Sequence, residues 1–262
     1  MLQIKRVSKT FNPGTITEKK ALTDINLTLE DGDFVTVIGG NGAGKSTLLN
    51  LIAGVHSCDT GSIVLDGVDI TQKPEYQRAK YLGRVFQDPM LGTAANMEIE
   101  ENLAMALRRG KKRTLAWGIK NKERELYHEK LALLDLGLEE RMKSKVGLLS
   151  GGQRQALTLL MATLQKPELL LLDEHTAALD PKTAARVLEL TEQFVAKDKL
   201  TTFMVTHNMR HAIQYGNRLI MMMKGKIIYD VRGDEKKNLK VEDLLAKFGA
   251  AGELNDRMVL GN

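Results

Sequence analysis

The chain has 262 residues, 43% of them hydrophobic and 27% charged, which suffices for one large core or two intimate subdomains. Its longest purely apolar runs, at 169–172 and 219–223, are far too short to cross a bilayer. The net charge of +5 is too mild to argue for nucleic acid as a partner, though it suits an acidic partner or an anionic membrane surface. A single cysteine, Cys58, excludes an internal disulfide and fits a reducing cytoplasm. Residues 1–7 carry no apolar stretch of the secretion type, and no repeats or low-complexity tracts stand out.

Residues 4–11 and 21–29 read as hairpin strands around a loop with Asn12, Pro13 and Gly14. The second strand alternates, with Ile25, Leu27 and Leu29 on one face and Asn26 and Thr28 on the other. Asp31-Gly32-Asp33 turns into a buried strand at 34–38, and 46–53 reads as a helix. Short strands are expected at 61–67 and 81–86, then helix-spaced apolar residues across 88–164, including Leu103, Ala106, Leu107, Leu131, Leu134 and Leu138. Alternation resumes with strands at 169–172 and 201–206 and helices at 181–196 and 209–215. Asp180-Pro181 makes a good helix start, Lys224-Gly225 a hairpin, and 241–248 a single amphipathic helix. The pattern predicts an α/β fold: a parallel-sheet core over 1–87 and 165–262 with N-terminal antiparallel strands, interrupted by a helical subdomain at 88–164.

Between the strand at 34–38 and the helix at 46–53 stands Gly39-Gly40-Asn41-Gly42-Ala43-Gly44-Lys45-Ser46-Thr47. It fits the phosphate-binding loop pattern G-x-x-x-x-G-K-[ST], in the strand–loop–helix setting that the pattern needs. Glycines let consecutive backbone N–H groups curl around an anion, and the following helix adds the positive end of its dipole. Lys45 is placed to reach the β- and γ-phosphates and the Ser46 hydroxyl to coordinate magnesium. A merely Gly-rich turn does not explain the Lys-Ser pair in register.

Downstream come Leu149-Ser150-Gly151-Gly152-Gln153 and the strand 169–172 that ends in Asp173-Glu174. With the phosphate loop, in this order, they make the chain resemble the ATP-binding cassette (ABC) ATPases of the P-loop NTPase class over nearly its whole length. The resemblance implies two such domains paired head to tail, with ATP and Mg²⁺ between the phosphate loop of one copy and Ser150, Gly151, Gly152 and Gln153 of another. A serine hydroxyl and glycine N–H groups opening a helix do form an anion cradle. By resemblance, Asp173 and Gln87 hold the magnesium, Glu174 orients the attacking water, and His207 contacts the γ-phosphate. Gln87 also couples nucleotide state to the helical insert, Asp180 lies in a loop crossing the dimer interface, and Phe11 stacks on adenine. An ordinary P-loop kinase or GTPase does not account for 149–153.

The chain departs from the family in carrying His175 where most members have proline after the Asp-Glu pair. It is either a titratable group near the γ-phosphate or a subfamily substitution of little effect. A cassette without membrane spans resembles the motor subunit of a multisubunit transporter at the cytoplasmic face of the cell membrane. Its expected partners are a second copy or homologous ATPase, integral-membrane permease subunits docked in a groove of the insert near 88–107, and an extracytoplasmic substrate-binding protein. Glu98, Glu100 and Glu101 sit in that groove or make a solvated first turn, and the basic stretch 108–124 with Trp117 is either a lipid-facing surface or a solvated loop. The branch it resembles is associated with importers proposed for aromatic amino acids such as tryptophan or tyrosine. An exporter motor and a soluble ATPase of cofactor assembly are the alternatives.

Overall fold

The structure is a computed structural model that describes residues 1–111 and 118–250. Two compact units divide the chain, Met1–Arg78 with the segment from Lys199 onward, and Ala79–Asp198. The helical region expected at 88–164 falls within the second unit, together with the strands and helix that flank it.

In the first unit, β1 (Leu2–Phe11) pairs antiparallel with both β2 (Lys19–Leu29) and β4 (Thr60–Leu65). A two-residue strand that the sequence did not reveal, β5 (Val68–Asp69), extends this sheet. The alternation read in β2 is real: Ile25, Leu27 and Leu29 are buried while Asn26 and Thr28 are exposed, as one core-facing side of a pleated strand requires. β3 (Phe34–Ile38) is buried along its whole length and runs parallel to β8 (Thr202–Val205) and β9 (Arg218–Met223). Such a doubly covered strand needs apolar residues at every position, not at alternate ones. The hairpin at Lys224-Gly225 returns as β10 (Lys226–Arg232), antiparallel to β9.

Helix α1 (Lys45–Ala53) follows β3, and the short α2 (Glu75–Arg78) escaped the sequence reading. Arg78 explains α2: it is 1% exposed and donates to the carbonyls of Leu51, Ile52, Thr71 and Lys73. Two of those carbonyls, of Leu51 and Ile52, lie in the last turn of α1, where a cation also meets the negative end of the helix dipole. On the other edge, α7 (Met209–Gln214), α8 (Gly233–Lys237) and α9 (Val241–Ala250) close the unit. The apolar face of α9, Leu244 and Phe248, packs with Met209, Leu219 and Met221.

In the second unit, β6 (Leu82–Val85) pairs parallel with β7 (Leu169–Asp173). The helical stretch breaks into α3 (Ile99–Leu107), α4 (Asn121–Ala132) and α5 (Gly151–Thr163), with 3₁₀ turns between the last two, followed after β7 by α6 (Pro181–Asp198). Residues 88–98 are not helical. Instead the buried Asn102 accepts from Ala94 N at 2.8 Å and donates to Glu98 O at 2.9 Å, pinning that loop. The loop also pairs with the approach to 149–153, through Val146 N to Met97 O at 3.0 Å and Gly147 N to Ala95 O at 2.8 Å. The acidic residues are not simply solvated: Glu101 accepts from Glu98 N as a helix cap, and buried Glu100 takes a two-pronged bond from Arg124. Trp117 lies outside the described residues.

Candidate functional site

The phosphate loop leaves β3 and enters α1 through Gly44, at φ 101°. A Cβ there would be strained and would lie 2.7 Å from a Leu22 methyl. Gly40 and Ala43 close a turn by Ala43 N to Gly40 O at 3.2 Å, and Gly225 N donates to Ala43 O at 3.0 Å. Asn41, Gly42 and Ser46 are exposed and Thr47 is half-buried. Lys45 is 7% exposed, with its Nζ donating to Gly39 O at 2.7 Å and Gly40 O at 3.2 Å. The ammonium is therefore held over the loop's own carbonyls.

Phe11 and His207, the other candidate residues of the first unit, lie at or just past strand ends. Phe11 ends β1, with its ring meeting His56 edge to face at 5.2 Å and the Lys9 ammonium 5.7 Å from its centroid. Opposite Phe11 in register is Lys19, whose Nζ lies 3.6 Å from where a Cβ on Gly42 would be; the sequence reading passed over it. His207 is exposed between β8 and α7. Thr206 N binds Val37 O at 3.1 Å and Asn208 caps α7 by accepting from His211 N at 3.1 Å. Burial, with the charge of His207 nearby, lowers the pKa of His211.

In the second unit, β6 and β7 pair with Val85 opposite Leu172, so Gln87 and Asp173-Glu174 leave the same end of adjacent parallel strands. Asp173 is ion-paired with Arg84 at 3.6 Å, whose guanidinium also covers the Phe86 ring at 4.4 Å. Glu174 adopts φ 44° and its carbonyl accepts from Ala177 N at 2.9 Å, a tight turn directly after the strand. His175 is 2% exposed, with Nε2 3.1 Å from Thr191 Oγ1 on α6. The ring is thus buried and bonded to α6.

Ser150 caps α5: its Oγ accepts from Gln153 N at 3.2 Å, and Gln153 Oε1 accepts from Ser150 N at 3.1 Å, a reciprocal capping box. Gly151 faces Leu179, and Gly152 lies against Thr183. Asp180 caps α6, accepting from Thr183 N at 3.1 Å, and its hydrogen bonds with Thr183 lower its pKa. Ser150–Gln153 and Leu179–Asp180 thus form one surface, two capped helix N-termini side by side. Among the described residues no group of three or more His, Cys, Asp or Glu is arranged to hold a metal.

A family model for the ABC transporter matches residues 22–177. The chain belongs to the ABC transporter family. This ABC ATPase is 49% identical to a tyrosine transport ATP-binding protein of Clostridioides difficile over 95% of its own length and 98% of that protein's. It is 34% identical to a spermidine/putrescine import ATP-binding protein of Haemophilus influenzae over 97% of this chain, spanning 63% of that relative. Among solved structures it matches a dimeric ATP-binding cassette in a post-hydrolysis state with ADP and Pi, at TM-score 0.75 and 27% identity, over 88% of this chain and 98% of that one. The ADP conformation of another transporter cassette matches at TM-score 0.77 and 28% identity, over 97% and 99% of the two chains.

Proposed function

We propose that this ABC ATPase is the motor of an importer for an aromatic amino acid of the tyrosine type. The relative named for tyrosine transport, 49% identical over nearly all of both chains, is the observation that carries this reading. Spermidine/putrescine and phosphonates import relatives stand further off at 34% and 32% identity, and the import character they share sets the exporter and cofactor-assembly alternatives behind. No described helix is long and apolar enough to cross a membrane, which fits a subunit that engages permease subunits from the cytoplasmic side, with an extracytoplasmic binding protein delivering substrate.

In the proposed cycle, Phe11 stacks on adenine and Lys45, already poised among loop carbonyls, draws the β- and γ-phosphates into the 39–47 loop. Ser150, Gly151, Gly152 and Gln153 of a second copy close over the same nucleotide, with Asp180 beside them at the interface. Glu174 orients and polarises the attacking water, a role that contributes about 10²- to 10⁴-fold, and His207 holds the γ-phosphate. The Ser46 hydroxyl, Asp173 carboxylate and Gln87 amide are hard oxygen donors that suit Mg²⁺ shared with the phosphates, where the ion would neutralise charge. Gln87 opens the loop 88–98, whose backbone bonds to 146–147 give it a route to Ser150.

The test is affinity purification of the tagged chain from detergent-solubilised native membranes, with partners identified by mass spectrometry. Recovery of an integral permease and an extracytoplasmic binding protein is expected, and that binding protein should bind tyrosine or tryptophan more tightly than spermidine. A permease alone would point to export, and soluble partners alone to cofactor assembly.

A further inference from the structure

Three functional segments of the second unit meet at one buried side chain. Gln155 lies on the first turns of α5, just past Ser150–Gln153, and has 0% exposure. Its Nε2 donates to Phe86 O at 3.0 Å and to His175 O at 2.6 Å. Phe86 immediately precedes Gln87, and His175 immediately follows Glu174. One amide nitrogen therefore spans the ends of β6 and β7 and fixes both to the helix that opens with Ser150.

The position is not explained by packing. Gln155 Oε1 is buried with no hydrogen-bond partner among the described residues, a costly arrangement that an apolar side chain would avoid. What the amide supplies is two N–H bonds, both to backbone carbonyls next to residues with proposed roles in hydrolysis. Glu174 particularly needs such support. Its φ of 44° is a sparsely populated conformation for a residue with a Cβ and persists only where the surroundings impose it. The His175 carbonyl bond to Gln155 and the His175 ring bond to Thr191 grip the next residue from both sides.

We infer that Gln155 is a positioning residue, which holds Glu174 and Gln87 in one fixed relation to the Ser150 end of α5. Closure of a second copy's nucleotide on Ser150 would then be felt at the water-orienting carboxylate through a single rigid link. The inference rests on the proposed roles of Glu174 and Gln87.

Gln155→Met keeps length and volume while removing both donors. In the full chain, steady-state ATPase assays and fluorescent-nucleotide titration should show kcat falling about 10- to 100-fold, as for a small misplacement of a catalytic group. KM, nucleotide affinity and melting temperature should stay close to the parent's. Gln155→Asn, whose shorter amide can still reach one carbonyl, should recover part of the rate. Glu174→Gln, measured alongside, separates the two claims. If Glu174→Gln stalls hydrolysis while Gln155→Met keeps kcat within about twofold of the parent, the link is refuted and the role of Glu174 stands. If Glu174→Gln turns over normally, the role of Glu174 fails and the link falls with it. Joint loss of rate, nucleotide affinity and melting temperature in both Gln155 variants would mark a merely structural residue and also overturn the inference.

Discussion

Gly152 sits so close to Thr183 that a Cβ added to it would fall 2.0 Å from the threonine methyl. The start of α5 and the first turn of α6 therefore touch through a glycine that no other residue can replace without displacement. Gly152→Ala should force the helices apart, an overpacking that costs roughly 1–3 kcal/mol. The check is a melting curve of the variant beside Gly152→Ala combined with Thr183→Ala. The second change removes the obstructing methyl while leaving the Thr183 N bond to Asp180, so it should restore most of the melting temperature.

Lys45 offers a direct test of the phosphate loop. Its Nζ is already among the Gly39 and Gly40 carbonyls, so nucleotide binding gains its charge with little reordering. Charge-assisted hydrogen bonds contribute about 1.5–3 kcal/mol each. Lys45→Met should weaken ATP binding by about 10- to 100-fold in a fluorescent-nucleotide titration.

Lys236 predicts a pH effect far from that loop. It is buried on α8 and donates to the carbonyls of Tyr215 and Gly216, and burial lowers its pKa from 10.5 to about 8. Because the folded-state value is the depressed one, this group's contribution to stability is fully present above pH 10.5 and is lost as pH falls through about 8. Over that window it amounts to about 3 kcal/mol. The difference in unfolding free energy between parent and Lys236→Met, followed by denaturant titration from pH 7 to 11, should therefore shift in the parent's favour as pH rises.

His175 should not set the pH dependence of turnover. Its ring is enclosed and bonded to Thr191 on α6, so His175→Gln, which keeps a hydrogen-bonding head, should leave the shape of the pH–rate profile unchanged. A profile that loses a limb near neutral pH in the variant would restore the idea of a titrating sensor.

Much of this was legible because the signals were local. The phosphate loop, the capped start of α6 at Asp180-Pro181 and the alternating face of β2 each declare themselves within a few residues. The rest depends on partners distant in sequence. Arg78 reads as a surface charge until Leu51 and Ile52 are seen to need it, and Glu100 reads as solvated until Arg124 closes over it. Residues 88–98 open the stretch whose later residues are helically spaced, but Asn102 and the backbone of 146–147 hold them as a loop. Gln155 carries no sequence signal beyond its place after Gly151-Gly152-Gln153; only its two carbonyl partners reveal it.

Hydrolysis of ATP between two copies of the chain through Glu174 is probed by light scattering coupled to size exclusion of Glu174→Gln. With ATP and magnesium the variant should run as a stable dimer with nucleotide retained and hydrolysis lowered about 10²- to 10⁴-fold, and revert to monomer when ATP is withdrawn. A variant that stays monomeric with ATP and hydrolyses it at the parent's rate would overturn both the ATP-driven dimer and the role of Glu174.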